Sequence, residues 1–267
     1  MNINEKETSF EADYEFLKKR LLKKSGINLD AYKPRQMRRR IKELSKKMGF
    51  STLREYWRFL EKNPADYRKF LDYITINFSE FFRDPDQFKE LEKRIIPGLL
   101  RKTSNLRIWS AACAGGEEPY SVAIILEEKC PQVKVRILAT DIDEAALKKA
   151  ELGIYNEIHL RNVSPQRLRR FFVQCEGKFK IKENIRKRVK FKKMNLLKDE
   201  FPREFFWLIL CRNMIIYLEE DAKDTLIRKL HGALKKGGVL FTGGTEKILN
   251  PEEFGFKVIG DCFYQKI

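Results

Sequence analysis

Histidine is almost missing from this chain. Among 267 residues there are two, His159 and His231, and neither lies in a recognisable motif. Histidine-triad and metal-centred chemistries, which lean on imidazole as base or ligand, are therefore poor fits. The five cysteines, Cys113, Cys130, Cys175, Cys211 and Cys262, form no C-x-x-C pair and are odd in number, which fits reduced thiols rather than a disulfide framework. No apolar run approaches the roughly 20 residues of a membrane span. The N-terminal stretch MNINEKETSFEAD has no apolar signal core. A cytoplasmic chain with no membrane insertion is expected. A G-x-G-x-x-G fingerprint is also absent, and acid is short relative to base: 38 Asp+Glu against 55 Lys+Arg, a formal charge of +17. That imbalance points to an acidic partner, whether nucleic acid, membrane surface or protein, although heavy Lys and Glu usage also marks heat-adapted chains.

What is present is ample core material, with 43% hydrophobic and 12% aromatic residues, enough for one large domain or two modest ones. The chain is organised around residues 106–143. An apolar run from Leu106 to Cys113 reads as a buried strand, and the small residues Ala111 to Gly116 as a turn. Glu117, Glu118 and Pro119 suit a first helical turn, and Val122, Ile125 and Leu126 continue at helical spacing. A second apolar run, Val133 to Ala139, ends in Thr140-Asp141-Ile142-Asp143. Strand, glycine turn, helix, strand and terminal acid make the first half of a nucleotide-binding α/β sheet. Gly115 and Gly116 permit close backbone approach, and Asp141 is placed to accept from ribose hydroxyls. The turn holds no lysine or arginine, and two glutamates stand at the helix start, so a pyrophosphate would be repelled. A cationic adenosine compound such as S-adenosylmethionine fits better. A plain α/β turn with solvated glutamates fits as well, and these residues alone leave both open.

Residues 10–75 read as helical. Phe10, Tyr14, Leu17 and Leu21 recur at three and four; Gly26 and Pro34 bracket a loop; KPRQMRRRIKELSKKMG follows, with Gly49 as its stop. Met37, Ile41, Leu44 and Met48 form one stripe, and Arg35, Arg38, Arg39, Lys42 and Lys46 the opposite face. Like charges at i,i+4 cost a helix roughly 0.2–0.5 kcal/mol per pair, so a face this one-sided invites an anionic partner; a solvated charged face is the bland alternative. A further helix spans 51–72. Asn77, Ser79 and Arg83 then sit among Phe78, Phe81 and Phe82, a pattern of phenylalanine packing or of a lid over a pocket. The expected domains are 1–75 (helical), 76–98 (linker or lid) and 99–267 (α/β). Residues 155–190 form a small helix-plus-antiparallel insertion, and the sheet resumes toward Met194 to Leu197. Phe205 to Cys211 is an apolar strand with Arg212-Asn213 at its tip, Val239 to Phe241 is another, and Lys257 to Ile259 with Phe263 to Gln265 forms a closing hairpin.

Five segments, NFSEFFRD, WSAACAGGEEPYS, ATDID, NLL and CRNMIIY, occur in an order that resembles the CheR-type chemoreceptor glutamate O-methyltransferases. The resemblance covers essentially the whole chain. It implies a Rossmann-like S-adenosylmethionine-dependent sheet domain with a small antiparallel β insertion, preceded by an all-α domain. Its product would be S-adenosylhomocysteine, and its partners the acidic cytoplasmic helices of chemoreceptors, docked by Arg35, Arg38, Arg39, Lys42 and Lys46. By position, Asn77, Ser79 and Arg83 would reach the cofactor, Glu118 and Asp141 hold its adenosine and amino-acid parts, Asn195 and Leu196 flank the adenine, and Arg212 and Asn213 line the pocket below the sulfonium. Arg83 and Tyr217 would act near the transferred methyl. Ser79 stands where many relatives carry threonine and keeps the hydroxyl. Trp207 replaces a common aspartate, and the hairpin loop Gln174 to Lys178 is short beside enteric members. Two rivals remain: a nucleic-acid methyltransferase, suggested by the charge but without N-P-P-Y or a Pro-Cys pair, and a cofactor-sensing module acting on another acidic protein or RNA. No nucleic-acid partner is expected.

Overall fold

The structure, a computed structural model, describes residues 3–75, 79–133 and 135–267. The chain separates into two compact units, Met1–Ile76 with Tyr217–Lys223, and Asn77–Ile216 with Asp224–Ile267. No described helix is long and apolar enough to cross a membrane.

The first unit is helical: α1 (Ile3–Ser25), α2 (Pro34–Lys47), α3 (Leu53–Lys62) and α4 (Pro64–Thr75). Tyr14, Leu17 and Leu21 of α1 are buried, as their spacing predicts. Along α2 the stripe shifts. Met37 and Ile41 are buried, but the third buried position is Ser45, and Met48 is 40% exposed. A single helix over 51–72 is not what forms. Thr52 opens α3 with a reciprocal capping box to Glu55, Asn63 closes it, and Pro64, which has no N–H to continue the ladder, opens α4. A later segment joins this unit: Tyr32 and Leu218 form an antiparallel bridge, and the Lys33 N–H donates to the Tyr217 carbonyl at 2.8 Å.

The second unit opens with α5 (Pro85–Glu90), a π turn at Leu91–Ile95 and α6 (Ile96–Leu100). Phe81, Phe82, Phe88, Leu91, Ile96 and Leu99 of this stretch belong to the unit's main hydrophobic core. There follow β1 (Arg107–Ala111), α7 (Glu117–Lys129), β2 (Arg136–Asp141), α8 (Glu144–Leu152), β3 (Ile154–Tyr155), α9 (Pro165–Phe171), β4 (Phe172–Cys175), β5 (Lys178–Ile181), α10 (Glu183–Arg186), β6 (Val189–Lys193), β7 (Phe206–Cys211), α11 (Glu220–Ala233), β8 (Leu234–Thr242), β9 (Phe256–Gly260) and β10 (Phe263–Lys266). The main sheet runs β6-β2-β1-β7-β8-β10-β9. From β6 to β8 it is parallel, and β10 runs antiparallel to both neighbours. Strands covered on both faces read as continuous apolar runs, which is why Phe206–Cys211 is FWLILC. The first turns of α7 are buried all round, from Glu117 to Leu126, a helix lying inside the core rather than on it.

The insertion is a three-stranded antiparallel sheet, β3-β5-β4. Its hairpin turns at Glu176 and Gly177, both with positive φ (48° and 72°), the backbone of a type I′ turn. The main sheet resumes earlier than its sequence suggests: Val189–Lys193, which alternates like a hairpin strand, pairs parallel to β2 as the sheet's edge, while Met194 to Leu197 leave the sheet. An edge strand with one face solvated alternates, and the alternation is what misleads.

Candidate active site

The carboxyl ends of the parallel strands lie in one row. Lys193 pairs with Asp141, and Ala111 with both Thr140 and Cys211, which in turn pairs with Thr242. Each strand then releases a loop bearing candidate residues: Ala112 to Gly116 after β1, Ile142-Asp143 after β2, Asn195-Leu196 after β6, Arg212-Asn213 after β7 and Gly243-Gly244 after β8. The chain reverses direction of strand addition at β1, with β2 and β6 on one side and β7 and β8 on the other. Ligands of open α/β sheets bind at such a point.

The turn after β1 is tightly constrained. Ala112 and Ala114 have positive φ (63° and 45°), as does Gly116 at 89°. A Cβ on Gly116 would meet the Ala150 Cβ at 2.8 Å, so helix α8 can approach only because the position is glycine. Asp141 holds the turn: its Oδ2 accepts from the Ala114 N–H at 2.8 Å, and its Oδ1 from the Asp143 N–H at 2.9 Å. Burial pushes the Asp141 carboxyl up to about 6, against the lowering effect of those amides. Asp143 caps α8 by accepting from Ala145 and Ala146. The Met194 N–H donates to the Asp141 carbonyl at 2.9 Å, tying the Asn195-Leu196 loop to the same place. There Asn195 Oδ1 accepts from the Leu197 N–H, and Leu196 is buried.

Glu118 and Arg212 form the charged centre. Ser110 Oγ donates to Glu118 Oε1 at 2.7 Å, and Arg212 Nη1 faces Glu118 Oε2 at 3.4 Å. Arg212 lies between the rings of Phe88 and Phe241. Its Nη2 donates to the Arg83 carbonyl (3.1 Å), Asp84 Oδ2 (2.8 Å) and Gln87 Oε1 (2.9 Å). Burial raises the Glu118 pKa although Arg212 and Ser110 pull it down. The backbone around Arg83 is unusual, with Phe82 and Asp84 on either side both at positive φ. The Arg83 side chain itself is half-buried. Burial also pushes the Cys113 and Cys211 thiols well up, which leaves neither as a nucleophile at neutral pH.

Two groupings escape a reading of motifs. Glu117 is 3% exposed, and its Oε1 faces His159 Nδ1 at 3.1 Å. The same nitrogen lies 2.8 Å from the Ser79 carbonyl, and the His159 carbonyl accepts from the Phe81 N–H. The turn carrying His159 thus clamps the Ser79–Phe81 segment, and Glu117 raises the imidazole's pKa. Eighty residues of separation hid this contact. The second is Glu246, buried beneath the Arg212–Ile216 loop; the sequence signal was the glycine pair that precedes it at the end of an apolar strand.

The remaining expected residues are distributed as follows. Asn77 lies outside the described residues. Asn213 adopts the left-handed conformation (φ 60°). Tyr217, half-buried, belongs to the helical unit. Of the basic residues on α2, Arg35, Arg39, Lys42 and Lys46 are exposed. Arg38 is half-buried, paired with Glu11 at 2.9 Å and stacked over Tyr14.

The donor set fits S-adenosylmethionine. Glu117 Oε2 is buried without a hydrogen-bond partner among the described residues, and carboxylates converge where a cation and ribose hydroxyls would be met. A family model described as "CheR methyltransferase, SAM binding domain" matches residues 77–260, and one described as "CheR methyltransferase, all-alpha domain" matches 12–75. A "Chemotaxis protein methyltransferase" of Listeria innocua is 38% identical over 257 residues, spanning 96% of this chain and 98% of the relative. Proteins of the same description resemble it in Borreliella burgdorferi, at 38% identity over 84% of this chain and 83% of the relative, and in Salmonella typhimurium, at 32% over 86% and 82%.

Proposed function

The chain belongs to the CheR methyltransferase family, and from that premise we propose that it esterifies glutamate side chains of chemoreceptors, giving the methyl esters used in sensory adaptation. It is an S-adenosylmethionine-dependent methyltransferase; the glutamate carboxylate as acceptor is the reading proposed. One observation carries it. Among the described residues the edge where the cofactor residues converge offers no free imidazole as general base: His159 is engaged by Glu117 and the Ser79 carbonyl, and His231 packs against Phe256. An ionised carboxylate is already a nucleophile and needs none, whereas hydroxyl or amine acceptors must lose a proton.

When bound, S-adenosylmethionine supplies an electrophilic methyl group on a sulfonium. Glu118, Asp141, Asn195 and Leu196 would hold it, with Asn77 and Ser79 reaching it from the N-terminal side. Arg212 and Asn213 line the pocket floor. The Arg83 guanidinium orients the acceptor through a charge-assisted bond, and the family resemblance adds the Tyr217 hydroxyl to that task. Alignment of this kind is worth roughly 7–11 kcal/mol in a displacement. The exposed α2 residues Arg35, Arg39, Lys42 and Lys46, with Arg38, dock the acidic receptor helix. A cytoplasmic location follows from such a substrate.

The test is transfer from radiolabelled S-adenosylmethionine to an acidic receptor fragment, with RNA in parallel, followed by mild alkali. A glutamyl methyl ester releases volatile methanol; base-stable counts on RNA would overturn the carboxylate reading. Arg83→Ala should abolish most transfer while cofactor still binds, and unchanged turnover would remove Arg83 from the mechanism.

A further inference from the structure

We infer that Glu246 is a positioning residue for this methyl transfer, its carboxylate stapling the loop after β7 to the loop after β8 and so fixing Arg212 and Asn213. The inference rests on the methyltransferase reading above. Glu246 is 3% exposed. Its Oε2 accepts from the N–H groups of Asn213 and Gly243 (2.8 Å to the latter), and its Oε1 from the Ile216 N–H at 3.2 Å. Three neutral amides from two loops therefore converge on one buried charge, as backbone nests converge on an anion.

The fit is exclusive. A Cβ on Gly243 would stand 2.5 Å from Glu246 Oε2 and 3.1 Å from Asn213 Nδ2, so any side chain there evicts the carboxylate. Asn213 is held at φ 60°, the left-handed conformation that asparagine adopts more readily than most residues. Arg212 is the residue immediately before it, and its guanidinium reaches both Glu118 and the Arg83 carbonyl. Releasing Asn213 and Ile216 frees the backbone that carries this guanidinium, without deleting any group expected to touch cofactor or acceptor.

Glutamine separates anchoring from packing. Glu246→Gln keeps the volume but turns an NH2 toward backbone N–H donors, so one side of the staple becomes donor against donor. Glu246→Ala leaves space that water can fill. The experiment measures kcat, KM for the acceptor fragment, affinity for S-adenosylhomocysteine by calorimetry, and amide exchange over 212–216, in the full chain and both variants. Expected is a fall in kcat of about 100-fold for Glu246→Gln, as for a misplacement of about 1 Å, with the acceptor KM unchanged and exchange accelerated over 212–216. Glu246→Ala should be no worse than the isosteric glutamine. Should Glu246→Gln fail to fold, Gly243→Ala evicts the carboxylate from the other side and should lower kcat comparably. Wild-type kcat in Glu246→Gln or in Gly243→Ala, or unaltered exchange over 212–216, would overturn the inference. If the unmodified chain forms no methyl ester, the acceptor reading fails on its own. The product affinity, expected to drop with the loosened loop that carries Arg212 and Asn213, and the exchange pattern still decide the role of Glu246.

Discussion

Arg212→Met removes a guanidinium whose side chain is 1% exposed and strands Glu118, 11% exposed, without its cation. Methionine fills the slot between Phe88 and Phe241, so the loss is chiefly electrostatic. Breaking a buried pair from one side costs about 3–5 kcal/mol, because the surviving charge stays desolvated. Asp84, whose side chain is 45% exposed, loses its partner at little cost. At roughly 2–4 °C per kcal/mol for a domain of this size, the thermal midpoint should fall by about 6–20 °C. The deficit carries a pH signature. Burial already raises the Glu118 pKa with Arg212 in place, and losing the cation raises it further. The variant should therefore approach the unmodified chain at acid pH, where Glu118 is protonated, and diverge as pH rises through that pKa. Thermal unfolding of Arg212→Met, Glu118→Gln and the double variant between pH 4.5 and 8 measures this. The double variant should recover about 0.5–3 kcal/mol relative to additivity. Strict additivity with a pH-independent deficit would refute the account of this pair.

Asp141, raised to about 6 by burial, binds its proton more tightly folded than unfolded, so its contribution favours folding below the ordinary 3.8 and falls by roughly 3 kcal/mol as pH climbs to about 6, then levels. In the proposed site Asp141 accepts from ribose hydroxyls, which donate more strongly to the ionised form, so affinity for S-adenosylhomocysteine should strengthen from pH 5 to 7.5; a flat profile would dissociate Asp141 from the ribose. His159 is raised chiefly by Glu117, so its stabilisation is present below about 6.5 and lost as pH rises through the folded pKa. His159→Gln should lower the thermal midpoint more at pH 6 than at pH 9, and equal losses would refute the ion pair. Reversing Arg35, Arg39 and Lys46 to glutamate should raise KM for the receptor fragment on the order of tenfold at low salt and spare kcat, with the effect shrinking as salt screens it. An unaltered KM would return that face to solvent. Arg38 is left out because its reversal would also break the pair with Glu11.

The sequence by itself determined the parts of this molecule that local chemistry writes. The alternation of apolar runs with helical stripes set the α/β sheet and five short segments in order set the family, while the small-residue turn and terminal acid left a ligand edge and a plain turn both open. Each signal lies within about a turn or a strand of chain, the range over which periodicity and capping act. Tertiary structure decided what depends on pairing across distance. Val189–Lys193 alternates like hairpin strands elsewhere, and pairing with β2 made it the edge of the main sheet. Ser45 rather than Leu44 or Met48 became the third buried position of α2, because neighbouring helices and not the stripe set which face is covered. His159 and Glu246 carry no motif; each gained a role when a loop far along the chain brought amides or a carboxylate to it. A buried polar group must find its partners wherever the fold supplies them, and that supply is a property of the folded chain.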